Sequence, residues 1–270
     1  MGMVLFDSCN PNVGKSMLSL HVAVALKRYF KKKILYIDAD KKMSATRIFS
    51  CMYKKNLLCN GGQVESMMFG EWEKNIIQLP SNIDFISVNL KMFSDEMQKK
   101  KIQPIEGDLY KLKTDYDYIF VNIPREKYFF KKFYLNTTNH IVYVATPKQD
   151  FLAESIAWEN EVYNLGKKNL GIIFNKTKKE NIDQYLTDKI EKFLGKDMIW
   201  KTVINENINI FRLDNQNELL FPANINEPQK NICIRTIRPF LKLCDEFETK
   251  IKNLHPLEDI WKGNDKQISP

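Results

Sequence analysis

An α/β fold, with a mostly parallel central sheet flanked by helices on both faces, is predicted by three observations in this 270-residue chain. Short, continuous apolar runs recur along it, of the kind buried on both faces of a sheet. Each run ends in polar residues, as parallel strands do beside a ligand crevice. Gly14-Lys15-Ser16 lies between the first run and a helical stretch.

The first strand is the run 3–6, and the helix that follows spans 17–30. Between them, Cys9-Asn10-Pro11-Asn12-Val13-Gly14-Lys15-Ser16 reads as a phosphate-binding loop. Backbone N–H groups of such a loop, with the helix N-terminus, cradle an anion; Lys15 supplies a mobile charge and the Ser16 hydroxyl a Mg²⁺ ligand. The cradle comprises Asn12, Val13, Gly14, Lys15, Ser16 and Met17. Its composition is unusual. Gly is favoured in these loops because it reaches positive φ and lets phosphate approach, yet Cys9, Pro11 and Asn12 stand at such positions. Asn tolerates positive φ, but Pro11 has a fixed φ and no N–H to donate. Cys9, inside the loop, is expected to be a sensitive probe of its occupancy.

The second strand, 34–37, ends in Asp38-Ala39-Asp40, with Ser44-Ala45-Thr46 after it. Two acids at a strand end are either loop solvation or part of a site; their place after the second strand of a phosphate-loop unit favours the site. Residues 63–78, with Val64, Met67, Met68 and Trp72, predict a helix and a short connector before a strand at 83–88. Residues 99–104 predict a surface loop, and a helix leads from it to Asp117. A strand at 118–121 ends in Asn122-Ile123-Pro124, one at 140–145 in Thr146-Pro147, and one at 170–174 in Asn175-Lys176. Within 125–134, Tyr128, Phe129, Phe130, Phe133 and Tyr134 are more aromatics than one helical stripe buries. They read as core on one side and a partner surface on the other.

Composition agrees with one large core: 44% of residues are hydrophobic. Residues 1–253 are expected to form a single domain and 254–270 a C-terminal tail, broken by Pro256 and with Trp261 as an anchor. Five cysteines without Cys-x-x-Cys spacing and three histidines indicate neither zinc nor a disulfide framework. No apolar run reaches the length of a membrane span, and the first strand leaves no room for a signal peptide, so a cytoplasmic protein is expected. The net charge is +8. Lys230, Arg235, Arg238, Lys242, Lys250 and Lys252 gather in the last quarter, with Arg235 and Arg238 a helical turn apart. Arg235, Arg238 and Lys242 are candidate contacts to a DNA backbone; the other reading is a lysine-rich composition with solvated helix faces.

The order of these pieces resembles the ParA/MinD group, the deviant-Walker-A P-loop ATPases. The resemblance covers about residues 1–250 and rests on Gly14-Lys15-Ser16, Asp38-Ala39-Asp40 with Ser44-Ala45-Thr46, Asn122-Ile123-Pro124, Thr146-Pro147 and Asn175-Lys176. It implies ATP and Mg²⁺ as cofactors, a homodimer formed on ATP, and cargo such as DNA or a polar machine reached through an adaptor protein. Lys15 would hold phosphate and act in catalysis, Ser16 would ligate the metal, and Asp40 would orient the attacking water. Asp38 would lie near the metal, and Asn175 would bond the adenine ring. Three features depart from the group's pattern. Its signature lysine, which reaches the partner's nucleotide, falls at Asn10, the two glycines after it fall at Pro11 and Asn12, and the Walker B carboxylate falls at Asn122.

Phosphoryl transfer relies on positioning and on neutralising charge that develops on phosphate oxygens. Asn10 carries no charge, and Asn122 keeps the size of Asp without its negative charge. Two readings therefore stand: a ParA-like ATPase with weak turnover, or a non-hydrolysing, nucleotide-gated scaffold of the TadZ/CpaE kind that localises pilus or secretion machinery. A ligase on the same fold would need a substrate carboxylate site that the sequence does not mark.

Overall fold

A computed structural model describes residues 2–8, 10, 12–40, 42–58, 60, 63, 66–67, 69–79, 82–89, 107–123, 137–147, 156, 158, 160, 168–178, 184–195, 198–207, 219–220 and 234–254, the backbone alone at 168, 184–186, 234–235 and 254. Cys9, Pro11, the loop at 99–104, the aromatic segment 125–134, Lys230 and the tail with Trp261 lie outside the described residues.

In chain order the elements are β1 (Gly2–Asp7), α1 (Lys15–Phe30), β2 (Ile34–Asp38), α2 (Ser44–Tyr53), β3 (Ile77–Gln78), β4 (Asp84–Ser87), α3 (Leu109–Asp115), β5 (Tyr118–Asn122), β6 (His140–Ala145), β7 (Lys168–Thr177), α4 (Gln184–Leu194), β8 (Ile204–Asn205) and α5 (Ile234–Leu254). The strands form one sheet in the order β3-β4-β2-β5-β1-β6-β7-β8. Only the β3–β4 pair is antiparallel among these.

Side chains alternate across the sheet, and both faces are dry. Val4, Phe6, Ile34, Tyr36, Phe85, Phe120 and Val142 pack with α1, α2 and α5 on one face. Met3, Leu5, Leu35, Ile37, Ile86, Val121 and Tyr143 pack on the other with Leu109 and Leu112 of α3 and Ile190 of α4. This is the predicted three-layer arrangement. Continuous apolar strands were required by it, because neither face meets water.

α1 is buried over Met17 to Leu26, as expected of a helix apolar nearly all round. Lys27 and Arg28 occupy its last turn, where they complement the helix dipole. The helix opens at Lys15, two residues before the sequence places it.

Within 63–78 the sequence predicts a helix and a short connector, and the described residues Gln63, Ser66 and Met67 are helical; the connector that follows also holds a 3₁₀ turn and β3, which the sequence did not mark. Gly70, at φ 84°, takes part in a turn in which its N–H bonds the Met67 carbonyl. The Asp108 carboxylate then accepts the N–H groups of Trp72 and Glu73, at 2.6 and 2.9 Å. A 3₁₀ turn spans Glu73–Asn75 and leads directly into β3. Met67, in the helical part, and Trp72, in the connector, are both buried. β7 is also longer than the run 170–174, so Asn175 and Lys176 lie within the strand instead of after it. Gly171, at φ 106°, sits at the register shift where β7 pairs with β6.

Register delivers the site residues together. Asp38 pairs with Asn122 across β2 and β5, Phe6 pairs with Asn122 across β1 and β5, and Asp38 pairs with Ser87 across β2 and β4. The polar ends of four strands thus line one edge of the sheet, beside the loop into α1.

Candidate functional site

The loop between β1 and α1 turns through two left-handed positions, Asn12 at φ 61° and Gly14 at φ 83°. At Gly14 a side chain is also refused by space, because a Cβ would lie 2.5 Å from the Asn175 amide nitrogen. Gly14 is the N-cap of α1, and no acidic residue lies in that helix's first turn. Backbone N–H groups and the positive end of a 16-residue helix therefore meet at the loop. Lys15, although 8% exposed, keeps its charge satisfied by donating to the Ile123 carbonyl at the end of β5.

The Ser16 hydroxyl is the hub of the next layer. It donates to Asp40 Oδ2 at 3.1 Å and accepts from Asn122 Nδ2 at 2.9 Å. The same Asn122 amide reaches Asp38 Oδ1 at 3.2 Å. The other oxygen of Asp38 accepts the Thr46 N–H at 2.8 Å and the Thr46 hydroxyl at 2.7 Å, and that hydroxyl lies 3.2 Å from Ser87. Asp38 is thus turned inward, towards the start of α2, while half-buried Asp40 faces Ser16. Burial pushes the Asp38 carboxyl above the usual carboxylate range, and nearby Asp40 adds to this; the Thr46 and Asn122 bonds oppose it.

On the far side of the loop, Asn175 Nδ2 donates to the Val13 carbonyl at 2.7 Å. Its neighbour Lys176, itself at φ 55°, donates from Nζ to the Asn12 carbonyl at 2.8 Å. From the opposite side, Lys42 Nζ donates to Asn12 Oδ1 at 2.8 Å. The end of β1 is fixed by buried Asp7, which accepts the Ser8 N–H at 2.8 Å and the Trp158 indole N–H at 3.0 Å.

Sequence-predicted Asn12, Val13, Gly14, Lys15, Ser16, Met17, Asp38, Asp40, Asn122 and Asn175 are brought to one strand-end cluster, with Met17 packed into the core beneath. Arg238 and Lys242 are elsewhere, exposed on α5, and the Arg235 side chain lies outside the described residues. Sequence reasoning missed Lys42 and the loop contact of Lys176. Lys42 comes two residues after Asp40, and that proximity was its one available signal. Thr46 was visible in Ser44-Ala45-Thr46, without the contact that explains it.

The donor set fits Mg²⁺ and a nucleoside triphosphate. A serine hydroxyl beside carboxylates offers hard oxygen ligands of the kind Mg²⁺ takes, few in number because phosphate and water supply the rest. Gly14, at a left-handed φ, holds the turn that aims the loop's N–H groups and the N-terminus of α1 at one point, the geometry an anionic phosphate takes.

The CbiA family model, described as the CobQ/CobB/MinD/ParA nucleotide binding domain, matches residues 10–221. Among solved structures, a plasmid partition protein of Borrelia burgdorferi B31 bound to AMPPNP is similar at 18% identity, covering 93% of this chain and 98% of its own, with a TM-score of 0.65. The cell division ATPase MinD of Pyrococcus furiosus is 17% identical over 92% of this chain and 99% of its own, at 0.66. Apo McdA of Cyanthece is 16% identical over 90% and 98%, at 0.68. No curated protein matches the sequence. At such identities the structures speak for the fold.

Proposed function

This chain belongs to the CobQ/CobB/MinD/ParA nucleotide binding domain family, and from that premise we propose that it binds Mg²⁺-ATP between β1 and α1, dimerises on it and positions a cargo, with weak hydrolysis. The observation that carries the reading is the hydrogen-bonded cluster joining Ser16, Asp40, Asn122 and Asp38 beside the Gly14 turn. Lys15 and the N–H groups of Val13 to Met17 hold the phosphates, and Asn175 stands on the side assigned to the base. Ser16 holds the metal, whose chemistry when bound is to neutralise charge on the phosphate oxygens. Asp40 orients water. Asp38 acts through Asn122, by fixing that amide, and through Thr46, by fixing α2.

Slow turnover follows from two neutral side chains. A charge supplied in trans is associated with about 10³–10⁵ in rate in phosphoryl transfer, and Asn10 stands where the family's trans lysine falls. Asn122 favours the second reading, a nucleotide-gated scaffold without hydrolysis that localises pilus or secretion machinery. Its amide is bonded to both Ser16 and Asp38, so the position serves the shape of the site without adding negative charge. A third proposal concerns DNA: Arg238 and Lys242 are both exposed, about one turn apart on α5, and can face consecutive phosphates. In the described residues no helix is long and apolar enough to cross a membrane.

The test is calorimetry with Mg²⁺-ATP on the wild type and Lys15→Ala, then phosphate release from the same samples. Binding lost with Lys15→Ala is expected. Released phosphate supports the weak ATPase, and tight binding without release supports the scaffold. No binding by the wild type would overturn both.

A further inference from the structure

Two lysines, one in the turn after β2 and one in β7, converge on Asn12. Lys42 Nζ bonds its side-chain oxygen and Lys176 Nζ its main-chain carbonyl, both at 2.8 Å. The two play different parts. Lys176 lies beside Asn175, which holds the Val13 carbonyl, so the β7 pair grips the loop backbone at two successive residues. Lys42 comes from the turn after β2, two residues beyond Asp40, and Asp40 bonds Ser16. Ser16, Asp40, Lys42 and Asn12 thereby close a ring across the mouth of the loop, on the side of the metal-binding hydroxyl and away from Asn175.

Resting on the nucleotide reading of this loop, we propose that Lys42 is a phosphate-contacting residue supplied in cis, exchanging Asn12 Oδ1 for the terminal phosphate of a nucleoside triphosphate. The exchange is favourable on elementary grounds. An ammonium bonds an anionic phosphate oxygen more strongly than a neutral amide oxygen. Lys42 is exposed, and its flexible four-carbon stem can make the move without displacing backbone. The loop also needs the charge: Asn10 is neutral and Pro11 has no N–H to give. Asn12 then has a purpose that glycine could not serve. Its side chain parks the Lys42 ammonium at the mouth while the site waits, and its backbone still adopts the left-handed turn.

A cation on the terminal phosphate discriminates ATP from ADP, whereas a grip on the loop backbone does not. Calorimetry with Mg²⁺-ATP and Mg²⁺-ADP on Lys42→Ala, Lys42→Arg and Lys176→Ala separates them, at a protein concentration where ultracentrifugation shows monomers. For Lys42→Ala the ATP affinity should fall about ten- to a hundredfold, the size expected for one charge-assisted bond, and the ADP affinity less than about threefold. Lys42→Arg should keep most of the preference. Lys176→Ala should weaken both nucleotides alike. An unchanged ATP-to-ADP ratio in folded Lys42→Ala, or a preference seen only in dimers, would overturn the inference and leave the nucleotide site standing. Absence of binding by the wild type would overturn both.

Discussion

Asn122 spends its one amide group on two partners, donating to Ser16 at 2.9 Å and to Asp38 at 3.2 Å. Asn122→Asp would remove that donor and place a second carboxylate against buried Asp38. In EDTA the variant should be less stable by about 1–3 kcal/mol, or several degrees in Tm. Mg²⁺ should return more stability to it than to the wild type, because the added charge completes the metal site. Thermal unfolding with and without Mg²⁺ checks this; equal Mg²⁺ shifts in the two proteins would remove Asn122 from the metal's neighbourhood. His21 makes a second prediction at this scale. Its Nδ1 is 2.7 Å from the Met17 carbonyl and its Nε2 accepts the Leu220 N–H at 2.9 Å, so the ring is neutral with the proton on Nδ1. Burial lowers its pKa from 6.5 to about 4. The folded state therefore binds fewer protons than the unfolded one between those values, so stability falls as the pH falls through that window. The contribution is complete above about 6.5 and amounts to ~3 kcal/mol lost by pH 4. Denaturant midpoints from pH 7 to 4 should show the decline, and His21→Gln should flatten it.

Among the elements, α5 ties the helical layer to the sheet. Phe247 meets Tyr118, Phe120 and Trp200 at ring-centroid distances of 5.1, 5.4 and 6.2 Å. Next to it, Glu248 accepts the Tyr118 hydroxyl at 2.6 Å and pairs with Lys32 at 3.0 Å. Phe247→Ala should cost about 3–5 kcal/mol, lost burial plus a cavity among rigid rings. Urea unfolding measures it, and a loss below ~1 kcal/mol would mean the helix is not held there. The elements also divide by how legible they were. β1, β2, β5 and β6 were readable because central parallel strands are apolar on both faces. β3 and β8 are two residues each, too short for a pattern, and exist because a neighbour offers an edge. Within 63–78 the helical part was legible, with Gln63, Ser66 and Met67 helical, while the Asp108 cap that organises the connector lies 36 residues from Trp72 and left no local signal. The site divides in the same way. Ser16, Asp38, Asp40 and Asn122 could be placed because strand ends collect at one edge. The Lys42 and Lys176 contacts with Asn12 span 30 and 164 residues, and only the assembled sheet makes them neighbours.

At the scale of the molecule, a net charge of +8 attracts polyanions without saying where they bind. Placement on α5 is more specific. Arg238, Lys242, Asp245, Thr249 and Lys252 are exposed along it, so its basic character is concentrated toward the N-terminal half and offset by an acid at 245. A backbone-binding surface gains mainly from counterion release, and the logarithm of affinity falls with the logarithm of salt by about 0.9 per phosphate neutralised. Arg238→Ala with Lys242→Ala should thus weaken binding to duplex DNA uniformly across sequences and reduce the salt slope by about 2. The measurement is fluorescence anisotropy of a labelled duplex over a range of salt, with Mg²⁺-ATP present so that any ATP-dependent dimer is assayed. Substituting Lys27 and Lys31, at the far end of α1, removes the same charge from another surface and controls for net charge alone. An equal loss from both pairs would assign binding to overall charge, and an unchanged slope in the α5 variant would remove DNA from that helix and leave an adaptor protein as the route to cargo.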